Sequence, residues 1–262
     1  MGFSADWLAL REPADRAARN AALARRAAEA AGPAPLVVDL GCGTGASWRA
    51  LAPFMPEGTR WRFVDRDPHL LALAGAEAGC GVELIEADLA DLEALPLDGA
   101  TLVTASALLD LVPEPWVAAL ARRLGMPFYA ALSYGGEMAW TPEDPRDAAV
   151  TAAFNRHQRG DKGLGPALGP DAGRRSAEIF AAAGYAVETA DSPWQLGPDM
   201  AALQRELTDG IAAAAAEAGA HEAEAWGRHR RDLADRTTCL IGHLDLLAIP
   251  ESPSREAPHA GR

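Results

Sequence analysis

Three carboxylates sit at matching places in the first third of the chain. Asp39 follows the apolar run Leu36-Val37-Val38, Asp65 closes Trp61-Arg62-Phe63-Val64, and Asp88 comes just after Glu83-Leu84-Ile85. Asp39 leads directly into Leu40-Gly41-Cys42-Gly43-Thr44-Gly45, in which glycine falls on alternate positions. Glycine lacks a Cβ, so Gly41 and Gly43 let backbone N–H groups come close to a ligand. A carboxylate beside such a loop disfavours a pyrophosphate and favours a ligand carrying an ammonium group.

These acids need elements that hold them together. Each apolar run reads as a short buried strand, and Ala46-Ser47-Trp48-Arg49-Ala50-Leu51 after the loop has helical character. Asp67-Pro68 reads as a helix start, with the helix running from His69 to Gly79. A fourth strand is expected at 100–105, a helix at 116–124 and a fifth strand from Met126 to Ser133. Strands alternating with helices imply right-handed crossovers and a parallel sheet. Ligands of such sheets sit beyond the carboxyl ends of the strands, where Asp39, Gly41, Asp65, Asp88 and Ser106 all fall.

The segment Val37-Val38-Asp39-Leu40-Gly41-Cys42-Gly43-Thr44-Gly45 resembles the first motif of the class I S-adenosylmethionine-dependent methyltransferases. The resemblance covers roughly residues 35 to 135. It implies an α/β, Rossmann-like fold, with a seven-stranded, mostly parallel sheet, helices on both faces and an antiparallel last strand. It also implies S-adenosylmethionine as cofactor, with Asp65 on the ribose hydroxyls and Asp88 at the adenine amino group. Ser106 opens a segment, 106–113, that matches in position the motif lying against the methionyl part. Asp39, Gly41, Cys42, Gly43 and Gly45 belong to the loop region of the cofactor site. Arg66 and Leu89, which follow two of the acids, either flank the adenine or are ordinary packing. Asp39 has a rival reading, as an acid that orders the glycine turn by accepting its N–H groups.

Two other functions stay open at this stage. The pattern G-x-G-x-x-A is formally met by Gly41, Gly43 and Ala46, which keeps an NAD(P)-dependent oxidoreductase in view. A non-catalytic S-adenosylmethionine-binding module on the same scaffold is the third reading. A mononucleotide phosphate loop is excluded, because no Gly-Lys-Ser/Thr ending follows the glycines.

The chain has 262 residues, 49 % of them hydrophobic, enough for a full core. A formal net charge of −13 argues against nucleic acid as a partner. The three cysteines, Cys42, Cys80 and Cys239, are widely spaced, which suggests a reduced, cytoplasmic setting and no metal site. No apolar run reaches the roughly 18 residues of a membrane span, and no signal-peptide layout is present.

Outside the motif region, residues 1–34 read as an N-terminal helical segment and 35–250 as the methyltransferase domain, with insertions at about 134–170 and 198–236. Residues 251–262 read as a disordered tail. The N-terminal segment brings Arg11 within reach of the methionyl carboxylate if it folds over the cofactor; otherwise Arg11 is a surface residue. The first insertion carries Asn155, Arg156, His157, Arg159 and Lys162, the most basic stretch of an acidic chain. Local positive charge on a negative background favours an anionic small-molecule acceptor, although cations also suit a helix C-terminus. The second insertion reads as two helices, a lid or a cover for the sheet edge. Candidates on the acceptor side are Asp110, Tyr134, His157 and Trp140. Cys42 has no base beside it in sequence and is a poor nucleophile.

Overall fold

The computed structural model describes residues 3–251, so the expected tail, apart from Glu251, lies outside the described residues. Two helices open the chain, α1 at Ala5–Ala18 and α2 at Ala21–Ala30. The break falls at Asn20, whose side chain caps α2 by accepting from the Leu23 N–H at 3.0 Å. Strand β1, Leu36–Leu40, is buried at every position, as a central parallel strand should be. Then follow α3 (Ala46–Leu51), β2 (Arg60–Asp65), α4 (Pro68–Ala78), β3 (Val82–Glu86), β4 (Leu102–Ser106) and α5 (Glu114–Arg123). Asp67 caps α4 and Pro68 takes its first position.

The rest of the chain builds β5 (Phe128–Thr141), α6 (Asp147–Gln158), α7 (Ala172–Ala182), β6 (Tyr185–Asp191), β7 (Trp194–Leu196), α8 (Ala201–Glu217), α9 (Ala223–Leu233) and β8 (Thr238–Pro250). The sheet order is β3-β2-β1-β4-β5-β8-β6, with β7 also on β8. Strands β1 to β5 run parallel, and β8 is antiparallel to its neighbours. The sheet therefore has eight strands, not the seven expected. The extra one is short and lies beside Cys239 to Ile241, the part of β8 that β6 does not reach.

The fifth strand corrects another expectation. The expected fifth strand ends at Ser133, yet β5 bulges at Gly135-Gly136 and runs on to Thr141. The bulge is permitted by Gly136 at φ +84°. A Cβ there would fall 2.7 Å from Pro170. The stretch from Tyr134 thus begins as a strand extension, and the helix expected at Asp147 to His157 is α6. Helices α6, α8 and α9 enclose that extension around Tyr134, Trp140, Trp194 and Trp226. Two larger cores cover the sheet faces, one around Trp116, Leu120 and Phe180, the other around Leu23, Ala27, Leu51 and Phe63. Among the described residues no helix is long and apolar enough to cross a membrane.

Candidate functional site

The carboxyl ends of β1 to β4 open into one cavity of about 300 Å³. Of the ten residues expected around the cofactor, Gly41, Gly43, Asp65, Arg66, Asp88, Leu89 and Ser106 line it. Asp39, Cys42 and Gly45 do not. The glycine loop is pinned from the neighbouring strand, since the N–H groups of Gly41 and Cys42 donate to the Val64 carbonyl at 2.8 and 3.0 Å. All three loop glycines have positive φ, and Gly45 begins α3 at φ +89°. A Cβ at Gly43 would come 3.1 Å from Leu8 of α1, which crosses above the loop.

Asp65 is already engaged. Its Oδ2 accepts the Gly43 N–H at 2.9 Å and its Oδ1 accepts the Asp67 N–H at 3.0 Å. The loop-ordering role that the sequence offered to Asp39 therefore falls to Asp65. Each carboxylate oxygen can accept further hydrogen bonds, and Asp65 lines the cavity. Asp88 Oδ1 accepts the Ala90 N–H at 2.9 Å. Leu89, between them, is held by the Trp116 indole, whose N–H donates to its carbonyl at 2.7 Å.

Asp39 lies below the wall, with no exposed surface, and neither of its oxygens accepts a hydrogen bond. Burial pushes its pKa up from 3.8 to about 7. The Ser47 hydroxyl and the Arg19 guanidinium oppose the shift, while Asp65 adds to it. The hydroxyl is close enough to matter but outside hydrogen-bond geometry. Arg19 is buried too. Its Nη2 donates to Ser106 Oγ at 2.8 Å, and its Nη1 has no acceptor. An unsatisfied carboxylate and a half-satisfied guanidinium thus stand together behind Ser106 and the glycine loop. The sequence pointed to Arg11 for this position. Arg11 does line the cavity, but Asp15 holds it at 2.9 Å and it stacks over Trp194. Nothing local in the sequence marks Arg19; its role follows from the turn between α1 and α2.

The acceptor-side candidates do not line the cavity. Asp110 is enclosed, with Oδ1 unpartnered and its pKa raised by burial. Tyr134 is buried and donates to Asn155 Oδ1 at 2.7 Å. Trp140 packs on Trp226 in the outer core. His157 sits behind Lys162, and it is Lys162, with Gly163 and Leu164, that reaches the wall. Phe3, Leu8, Leu108, Leu111 and Val112 complete an apolar side that the sequence did not single out. Burial pushes the Cys42 thiol pKa up strongly, so it is no nucleophile.

Residues 37–126, about a third of the chain, match a family model described as a methyltransferase domain. A comparison with curated protein sequences finds no relative. Among solved structures, a putative methyltransferase from Haloferax volcanii, in complex with its Trm112 activator, superposes with a TM-score of 0.55 at 19 % identity, over 95 % of this chain and 96 % of that one. The YcgJ protein of Bacillus subtilis gives 0.52 at 16 % identity, and a putative methyltransferase of Bacillus halodurans 0.51 at 17 %. Each of these two is covered over 98 % of its length, and 88 % of this chain. At such identities these likenesses establish a shared fold. With the matched family model, the sheet order and the glycine loop, they lead to one conclusion: the chain has the Rossmann-like fold of the class I methyltransferases, and its residues 37–126 are similar to a methyltransferase domain.

Proposed function

We propose that the protein transfers the sulfonium methyl group of S-adenosylmethionine to a small-molecule acceptor. The observation that carries this reading is the buried pair Asp39 and Arg19. An unpaired carboxylate in a dry site is costly, and it persists where a cation completes it. The α-amino acid end of the cofactor, resting on the wall in front of this pair, would set its ammonium toward the Asp39 charge and its carboxylate toward that of Arg19. Gly41, Gly43 and Ser106 border that end. Asp65 would meet the ribose and Asp88, with Leu89 and Arg66, the adenine.

The cofactor brings a methyl group already activated on a positive sulfur. The chain's own residues then have to align it, exclude water and place the acceptor in line. The apolar side, with Leu108, Leu111 and Val112, keeps the methyl region dry. No strong general base is required unless the acceptor atom carries a proton. The size of the cavity and the charge of −13 favour a small molecule over a nucleic acid.

Calorimetric titration with S-adenosylmethionine and S-adenosylhomocysteine tests the reading. Both bind, and Asp65→Ala weakens them by about 1–3 kcal/mol through lost hydroxyl contacts and a loosened Gly43. Unchanged affinity in that variant would remove Asp65 from the site. A thermal shift with NAD(P) and none with S-adenosylmethionine would favour the oxidoreductase instead. Binding without release of S-adenosylhomocysteine, on any acceptor in a metabolite extract, would leave a non-catalytic module.

A further inference from the structure

The cavity is divided by charge along the sheet edge. Asp65, Asp67 and Asp88 sit at the ends of β2 and β3. On the other side, past β1 and β4, the wall is apolar except for Ser106 and two cations, Arg11, which Asp15 holds at 2.9 Å, and Lys162. Its loop is held against the segment after β4, since the Leu168 N–H donates to the Val112 carbonyl at 2.9 Å.

Much local structure serves to place this lysine. Residues 159–168 contain three glycines, and two of them, Gly163 and Gly165, adopt φ +113° and +106°. The Asp161 carboxylate ties the turn by accepting the N–H groups of Gly163 at 2.7 Å and Gly165 at 3.0 Å. Lys162 Nζ lies 3.2 Å from His157 Nδ1, and His157 Nε2 lies 3.0 Å from Glu217 Oε2. An ammonium can only donate, so His157 Nδ1 accepts and Nε2–H donates to Glu217. The chain of three runs from the surface of α8 to the cavity wall, and it leaves two ammonium hydrogens for a ligand. Partial burial lowers the lysine pKa, while Glu217 and Asp110 favour its charged form.

We propose that Lys162 is the anchor for the acceptor, and that the acceptor is a monoanionic organic acid. Its carboxylate seats on Nζ and its apolar body lies along Leu111, Val112 and Leu164. The inference rests on the methyltransferase reading and names its substrate class. Of the two cations near the enclosed Asp110, Arg11 is already paired with Asp15, so Lys162 is left to match one negative charge; the second charge of a phosphate dianion would have no cation of its own. His157 and Glu217 are positioning residues, acting through Lys162.

The test uses the full chain saturated with S-adenosylhomocysteine, with octanoate, benzoate and 3-phenylpropanoate as probes, each compared with its primary amide, and phenyl phosphate as the dianion. Binding is followed by ligand-observed NMR. At least one acid binds at least tenfold more tightly than its amide, and phenyl phosphate binds more weakly than benzoate. Lys162→Met abolishes the preference for acid over amide, Lys162→Arg keeps it, and Glu217→Gln reduces it. S-adenosylhomocysteine affinity, measured separately, stays the same in all three variants and shows that they fold. The proposal is overturned if acids and amides bind wild type alike, if phenyl phosphate binds best, or if Lys162→Met retains the preference. Failure of S-adenosylhomocysteine to bind wild type would instead remove the methyltransferase reading beneath it.

Discussion

Two aspartates of this protein are wholly buried in the sheet, on strands separated by β4 and β5, and they are treated in opposite ways. Asp245, on β8, is fully satisfied: Oδ1 accepts the Leu132 N–H at 2.8 Å, and Oδ2 accepts the Asn20 N–H at 2.9 Å and the Tyr129 hydroxyl at 3.2 Å. It fastens the bulge of β5, where Leu132 adopts φ +58°, to the start of α2. Asp39, on β1, accepts nothing. A buried acid with a complete donor set belongs to the architecture. A buried acid without one is costly to the fold, and its pKa rises accordingly.

The sharpest way to break this contrast is to remove both acids in turn. Asp245→Ala strands three donors inside the protein and should lower the unfolding free energy by roughly 3–5 kcal/mol. Urea denaturation measures it, and a loss below about 1 kcal/mol would show that the three bonds are not holding the bulge. Asp39→Asn should do the reverse. The native pKa of Asp39, raised to about 7 from 3.8, means the folded protein keeps a proton that the unfolded chain has released. Its contribution to stability therefore falls as pH rises from about 4 to about 7, and stays at its lowest above that. The gain in stability of the Asn variant over wild type should grow by roughly 3 kcal/mol across this window, in cofactor-free protein. Parallel slopes for the two proteins would contradict it.

The same variant should lose cofactor affinity by about 2 kcal/mol at pH 8, because the amide cannot neutralise an ammonium. Stability gained and binding lost in one substitution is the signature of a site residue; Asp245→Ala offers no such exchange. The smallest effect belongs to Ser47→Ala. Removing the hydroxyl that holds the Asp39 pKa down should move the midpoint of the pH dependence upward, by the equivalent of about 0.5 kcal/mol.

The sequence made the β1 to β3 side of the site readable because each functional residue there is placed by its own strand. Asp65 and Asp88 end strands whose limits come from short apolar runs, and a parallel sheet brings such ends together without further information. The β4 to β6 side is different. Arg19 acquires its position from the Asn20 break, and Lys162 from a loop tied by Asp161. The end of the fifth strand was not legible, because a glycine pair such as Gly135-Gly136 has the same appearance in a turn and in a bulge; only the partner strand β8 decides between them. His157 was noticed for its basic neighbourhood but placed one step too near the ligand. Asp245, the best-satisfied acid in the sheet, has no sequence signal, since its three donors come from residues 20, 129 and 132.

Asp15 has one more implication. Its carboxylate receives both Arg11, from the helix above the cofactor cavity, and the Trp194 indole N–H at 2.9 Å, from the short strand beside β8. Roof and outer framework are thus bolted through a single side chain. Anyone transplanting the β7–α9 region from a relative to alter acceptor choice would have to carry the first twenty residues along with it. Exchanged alone, either piece would arrive with half of a joint.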